Sequence, residues 1–232
     1  MTSAARSVDL NADLGEEVTD DAGLLAVVTS ANVACGYHAG TPAIMREVCA
    51  RAAELGVAVG AQVSYDDRPG FGRRPLDVAS DVLREQVADQ VGRLGDAARA
   101  GGTTVRYLKP HGALYHRVID DEEQAAAVLA GSGSLPVLGM PGALLTQASD
   151  AGRRVVLEGF PDRGYGDDGR LLPRDAAGAV LDDADAVAAH ALDLAGRVAS
   201  LCLHGDTPGA VGHAHAVRTT LTDAGWTLAP FV

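Results

Sequence analysis

The stretch Val105–His116 reads VRYLKPHGALYH: a short apolar run rich in β-branched and aromatic side chains that stops abruptly on Lys109, Pro110 and His111. Such a run, bounded by Pro and Gly, has the length and composition of a buried strand, Val105 to Lys109. Six more runs share the pattern: Val8 to Ala12, Ser30 to Ala34, Val57 to Gln62, Pro136 to Gly139, Val155 to Gly159 and Ser200 to His204, with a weaker eighth at Trp226 to Ala229. Longer stretches of helical period lie between them, and the alternation predicts an α/β protein with a mainly parallel sheet. Length alone leaves a closed barrel and an open doubly wound sheet both available. The polar residues favour the barrel, because nearly every strand delivers them at its C-terminal end, where barrel enzymes build their sites. An open sheet would gather them at one switch point.

The helices carry their own punctuation. Thr41 is placed to cap a helix that has Pro42 at its first position, and Gly56 ends it. Ser80 is expected to cap a long helix with the apolar stripe Leu83, Val87, Val91, Leu94 and Ala98, stopped by Gly101, and the last helix runs from about Gly209 to Ala224. Two stretches exceed ordinary connections: Val63 to Ala79, containing RPGFGRRP, and Phe160 to Ala177, containing PDRGYGDDGRLLPR. Loops of this length in a compact domain are usually lids or binding loops. No linker or charge block divides the chain, so residues 1–232 are expected to form one domain.

Nineteen basic against 31 acidic side chains leave a net charge of −12, which argues against nucleic acid and anionic membrane as partners. Three cysteines without a Cys-x-x-Cys pair suggest neither a disulfide framework nor a thiolate zinc site. The N-terminal MTSAARSVDL has no apolar stretch, so a soluble cytoplasmic protein is expected. Of the basic residues only Lys109 is a lysine, which singles out its compact ammonium from a chain otherwise served by arginine.

The strand ends hold the candidate site. The first emits Asn11, Asp13 and Glu16; the second Asn32 and then His38; the fourth Lys109 and His111; the sixth Glu158 and the Asp162–Arg163 pair; the seventh His204 and Asp206. Taken singly, each has an ordinary explanation: a hydrogen-bonded histidine, a turn or capping aspartate, a solvated arginine. Together, three of seven histidines, the sole lysine and three carboxylates would converge on one barrel mouth. His190, His213 and His215 fall in predicted helices and are read as structural, and His116 is left open. No GxxxxGK[ST], GxSxG or HExxH motif occurs.

In order along the chain, DLNADLGE, TSANVACGYHAG, GFGRR, LKPHGALYH, DRGYGDDGRLLPR and CLHGDTPGAV resemble the LamB/YcsF family from Val8 to about Arg218. The resemblance implies an irregular seven-stranded β/α barrel, TIM-like and related to the polysaccharide-deacetylase barrel. It also implies the A subunit of a bacterial ATP-hydrolysing 5-oxoprolinase, which opens 5-oxo-L-proline to L-glutamate with B and C partner subunits. ATP, with Mg²⁺ as its counter-ion, is the expected co-substrate. By motif position the polar site is Asp13, Glu16, His38, Lys109, His111, His204 and Asp206. The chain departs from the family at two places: GAQVSYDD puts Gln62 where the family usually has a His, and the stretch after DLGE is shorter.

A lactam is an unstrained amide with a poor leaving group, and phosphorylating its oxygen lets water attack the carbon. That route needs cations, a base for water, an acid for nitrogen and a clamp for the substrate carboxylate. Lys109 is assigned to the oxyanion or phosphate, Asp13 or Asp206 to water, and His111 or His38 to proton transfer. Arg73 or Arg163 is assigned to the carboxylate, with Asn11, Asn32 and His204 as further substrate contacts. Two alternatives stay open. One is a metal-dependent amide or carbohydrate deacetylase with an ion on Asp13, His38 and His111 or His204. The other is a non-catalytic subunit that binds lactams or sugars.

Overall fold

In the computed structural model, which describes residues 6–232, the parallel strands are β1 Ser7–Leu14, β2 Ser30–Ala34, β3 Ala58–Val63, β4 Val105–Pro110, β5 Val137–Gly139, β6 Val155–Gly159, β7 Ser200–Leu203 and β8 Thr227–Leu228. The first five residues of the N-terminal stretch lie outside the described part. Strand order is β2-β3-β4-β5-β6-β7-β1, and β1 pairs β2 as well as β7, so the seven strands close into a barrel. The eighth run is not a barrel stave: among the described residues β8 pairs only with Ser7 and Val8 at the start of β1.

The helices are α1 Asp21–Leu25, α2 Pro42–Leu55, α3 Ser80–Ala100, α4 Gly112–Asp120, α5 Glu122–Gly131, α6 Ala143–Asp150, α7 Ala184–Ala195 and α8 Ala210–Asp223. Strands β2 and β3 are buried along their whole length, as expected of parallel strands covered by helices outside and by side chains inside. Thr41 caps α2 as expected, its Oγ1 accepting from the Ile44 N–H at 3.2 Å, and Gly56 closes it at φ +69°. Ser80 is not a cap. Ala79 occupies that position, and Ser80 instead donates its hydroxyl to Glu123 Oε1 at 2.7 Å, tying α3 to α5.

The barrel interior is stratified. At the bottom, Tyr107, Leu138 and Val156 pack against Phe231 and Val232 of the C-terminal tail, which plugs that end. Tyr107 fits because β3 carries Gly60 beside it: a Cβ at position 60 would stand 2.2 Å from the tyrosine ring. Above this lies a polar layer, and the C-terminal strand ends open upward beneath the two long loops. The loop before α3 contains a short 3-10 turn at Arg68–Gly70 and then Phe71 in left-handed geometry at φ +56°. The loop after β6 folds on itself through antiparallel bridges Arg163–Val180 and Tyr165–Leu171. Among the described residues no helix is long and apolar enough to cross a membrane.

Candidate active site

The polar layer is a chain of hydrogen bonds running across the barrel. Tyr107 donates its hydroxyl to Asn32 Oδ1 at 2.6 Å, and Asn32 Nδ2 donates to Asn11 Oδ1 at 2.6 Å and Asp13 Oδ1 at 2.9 Å. Asn11 Nδ2 in turn donates to Ser200 Oγ at 2.6 Å. Period-2 alternation places these residues inside: Asp9, Asn11 and Asp13 of β1 share one face of the strand. Asn11 and Asn32 are fully buried and do not line the mouth, so the expectation that they touch substrate gives way to a supporting role beneath it.

Lys109 rises from the end of β4 into this layer. Its Nζ donates to Asp13 Oδ1 at 2.9 Å, approaches Glu158 Oε1 at 3.0 Å and meets Cys202 Sγ at 2.9 Å. An ammonium has three N–H donors, and these neighbours account for all of them. Burial works against the Lys109 charge, but Asp13, Cys202 and Glu158 outweigh it and hold its pKa well above the ordinary lysine value. Burial likewise opposes the charge on Asp13, yet Lys109, then His204 and His111, keep it well below the usual carboxylate range. Glu158 is raised, chiefly by burial and against the pull of Lys109, and its Oε2 accepts from the Tyr115 hydroxyl at 3.0 Å.

Above this floor opens a cavity of about 640 Å³ lined by Asp13, Lys109, His111, His116, His204, Arg73, Arg163 and Arg174, with Tyr115, Phe160, Leu171 and Leu172 as its apolar wall. Among the described residues the donors to Asp13, from Asn32, Lys109 and at longer range Cys202, all reach Oδ1, and Oδ2 takes none. His204 is oriented by Asp162, which accepts from its backbone N–H at 3.0 Å and faces its ring Nδ1 at 2.9 Å. Burial raises Asp162, but His204 lowers it further, so the carboxylate stays ionised and Nδ1 carries the proton. Phe160 stacks on the His204 ring at 5.3 Å.

The two candidate clamp arginines differ. Arg73 pairs with Asp206 at 2.6 Å on the rim and is one-third exposed, and Arg174 approaches the same carboxylate at 3.9 Å. Arg163 is buried and holds its own loop, donating Nε to Ala179 O at 2.8 Å and Nη2 to Leu172 O at 2.6 Å. Asp206 therefore meets arginine first, which makes it a rim partner instead of a base over the floor. Glu16 and His38 sit behind His111, away from the cavity. His190 and His213 bond to carbonyls of Pro161 and Asp182, matching their structural reading, whereas His116 lines the cavity.

The strand ends by themselves do not reveal Asp162 as the partner of His204, nor Cys202, Tyr115 and Arg174 as neighbours of the site. In the sequence Asp162 is visible only as half of an Asp–Arg pair, and nothing in the spacing says which histidine it meets. The ion-binding set Asp13, His38 and His111 or His204 is not what the fold assembles: Asp13 is taken by Lys109, and His204 by Asp162.

A parallel β/α barrel whose strand ends surround one charged mouth defines a protein of the TIM-like class, with a site built from residues far apart in the chain. The model of the LamB/YcsF family matches residues 8–232, and the chain belongs to that family. It is 54% identical over 248 aligned positions to a Streptomyces avermitilis protein named as the A subunit of 5-oxoprolinase, covering 97% of this chain and 99% of the relative. A Mycobacterium marinum protein of the same name is 48% identical, covering 94% and 96%. The crystal structure of a lactam utilization protein from Thermus thermophilus superposes with a TM-score of 0.90 at 35% identity, covering 97% of this chain and 100% of the other. A family 4 carbohydrate esterase from Streptomyces lividans shares the barrel, with a TM-score of 0.53 at 15% identity over 99% and 95% of the chains, and that likeness is one of fold.

Proposed function

We propose that the mouth binds 5-oxo-L-proline and opens its lactam to L-glutamate, coupled to ATP with its Mg²⁺, with this chain as the A component working beside B and C partners. The observation that carries this reading is that an ionised Asp13 and the Asp162-oriented His204 face one cavity. Relatives named as the A subunit of 5-oxoprolinase, matched over nearly their whole length, supply the substrate class.

ATP would activate the lactam by phosphorylating its oxygen with release of ADP; water then adds to the carbon, the ring C–N bond breaks to free the amine and leave an acyl phosphate, and a second water hydrolyses that acyl phosphate to L-glutamate and inorganic phosphate. In this chain Asp13 Oδ2 takes the proton of the attacking water. Its charge is maintained by Lys109, which acts through Asp13 and not directly on the phosphate, since its donors are already engaged. His204 takes up a proton on Nε2 and passes it to the departing nitrogen, with Asp162 holding the ring in the tautomer that permits this. Arg73 and Arg174, now shared with Asp206, are the groups free to exchange that carboxylate for the one on the substrate. The apolar wall of Phe160, Leu171 and Leu172 fits the methylene side of a small ring.

The test is glutamate release from 5-oxoproline with ATP, with and without the B and C partners. Turnover that requires all three chains, and falls when Asp13 is replaced by Asn, supports the reading. Deacetylation of N-acetyl sugars without ATP would replace it, and saturable 5-oxoproline binding with full turnover by an Asp13→Asn complex would reduce the chain to a binding component.

A further inference from the structure

Behind His111, outside the cavity, Glu16, His38 and His111 each bring one ligand atom to within 4.8 Å of the others, all three side chains being buried. The polar atoms here are unbalanced. His38 is 1% exposed, yet among the described residues neither Nδ1 nor Nε2 has a hydrogen-bond partner, and Gln62 Oε1 is likewise without one. His38 Nε2 and His111 Nδ1 both stand 3.6 Å from Glu16 Oε1, beyond hydrogen-bond reach.

The tautomer of His111 follows from its other nitrogen. Nε2 is 3.0 Å from the Phe71 carbonyl, which can only accept, so Nε2 carries the proton and the Nδ1 lone pair points into the cluster. A backbone carbonyl fixing the outer N–H of an imidazole is the usual support for a metal-ligating histidine. Gln62 Nε2 donates into the centre, 3.0 Å from Glu16 Oε1 and 2.9 Å from His111 Nδ1. If the amide turned over, Gln62 would present Oε1 to the Glu16 oxygen and the His111 Nδ1 lone pair, an arrangement that a cation makes favourable. Gly72 roofs the cluster closely: a Cβ there would stand 2.9 Å from His38 Cβ and 3.1 Å from His111 Cδ2.

We propose that Glu16, His38 and His111 form a divalent metal site, with Gln62 Oε1 as a fourth ligand, suited to zinc or a similar first-row ion by its two imidazoles and two oxygens. A ligating imidazole offers a lone pair, and the Phe71 carbonyl on Nε2 leaves the His111 Nδ1 lone pair to supply it. The site is separate from the lactam reading, and it can be probed with no lactam, ATP or partner present.

The experiment is titration of the full chain, freed of metal by chelator and desalting, with zinc chloride followed by calorimetry and melting temperature, and with cobalt chloride followed by visible absorption. The expected result is one equivalent bound, a raised melting temperature and the intense absorption of four-coordinate cobalt. Glu16→Gln and His38→Ala should each weaken binding by about 100-fold or more. Gln62→His, which exchanges an amide for a stronger imidazole ligand, should tighten binding and shift the cobalt spectrum, and it decides the matter if the other variants fold poorly. No saturable binding by the wild type, or binding and spectrum unchanged by Gln62→His, overturns the proposal.

Discussion

Asp162 holds His204 at two points, the backbone N–H at 3.0 Å and ring Nδ1 at 2.9 Å, so ring and main chain are aligned by one buried carboxylate. Only an ionised Asp162 accepts both bonds while leaving Nε2 open to the cavity. Asp162→Asn should therefore lower kcat by about 10²-fold or more with little change in KM, on the scale of a misoriented acid–base group. Kinetics of the chain combined with the proposed B and C partners check this, with circular dichroism confirming the fold, and a change confined to KM would assign Asp162 to binding.

Lys109 is 2% exposed and bonded between two carboxylates, so its loss leaves buried charge unpaired. Lys109→Met should destabilise the protein by about 3–5 kcal/mol. Adding Glu158→Gln to Lys109→Met should recover part of that loss, since one of the stranded carboxylates is then neutral. Lys109→Arg keeps the charge but not the shape, and should also melt lower. Urea unfolding of the three variants checks the order, and an unaltered midpoint for Lys109→Met would contradict the network.

Asp9, at the other end of β1, accepts from Thr29, Ser30 and Ser200, and burial nevertheless pushes its pKa up to about 6 from 3.8. The folded chain thus holds this proton more tightly than the unfolded one. The associated stability is present below pH 3.8 and is lost as pH rises to about 6, beyond which it is constant. Its size is about 3 kcal/mol. The stability of wild type relative to Asp9→Asn should fall by that amount across this interval, measured by urea unfolding at several pH values. A pH-independent difference would mean that Asp9 titrates normally.

The two arginines of the long loops should separate experimentally. Arg73→Ala removes a rim cation and should raise KM for 5-oxoproline by about 10-fold or more, the scale of a hydrogen bond to a charged group. Arg163→Ala breaks the bonds to Ala179 O and Leu172 O and should expose the Phe160–Ala177 loop to proteolysis well before the rest of the chain. Limited trypsin digestion with mapping of the first cut distinguishes them.

What the sequence by itself determined was local and periodic. Strands β2 and β6 match their predicted bounds, because a short β-branched run between turn signals reads as a strand whether both faces are covered, as in β2, or one side stays exposed at Val155 and Leu157, as in β6. Thr41, Pro42 and Gly56 likewise mark α2 at both ends, since capping needs only neighbours in the chain. The gathering of Asp13, Lys109, His111 and His204 at one mouth also followed from the chain, because parallel strands must send their C-terminal ends to the same face.

Only the tertiary structure decided which partner each polar group meets. Ser80 has the residue type and position of a cap, but Glu123 of a neighbouring helix takes its hydroxyl. Asn11 and Asn32 lie one pleat below the opening, a difference of a few ångströms along a strand that hydrophobic pattern cannot register. Asp162 with His204, and Glu16 with His38 and His111, are pairings set by barrel closure and by the path of two loops. The physical reason is range: strand and helix preferences act over a few residues. Hydrogen bonds and charge pairs instead act through space at about 3 Å, between positions that only the closed sheet brings together.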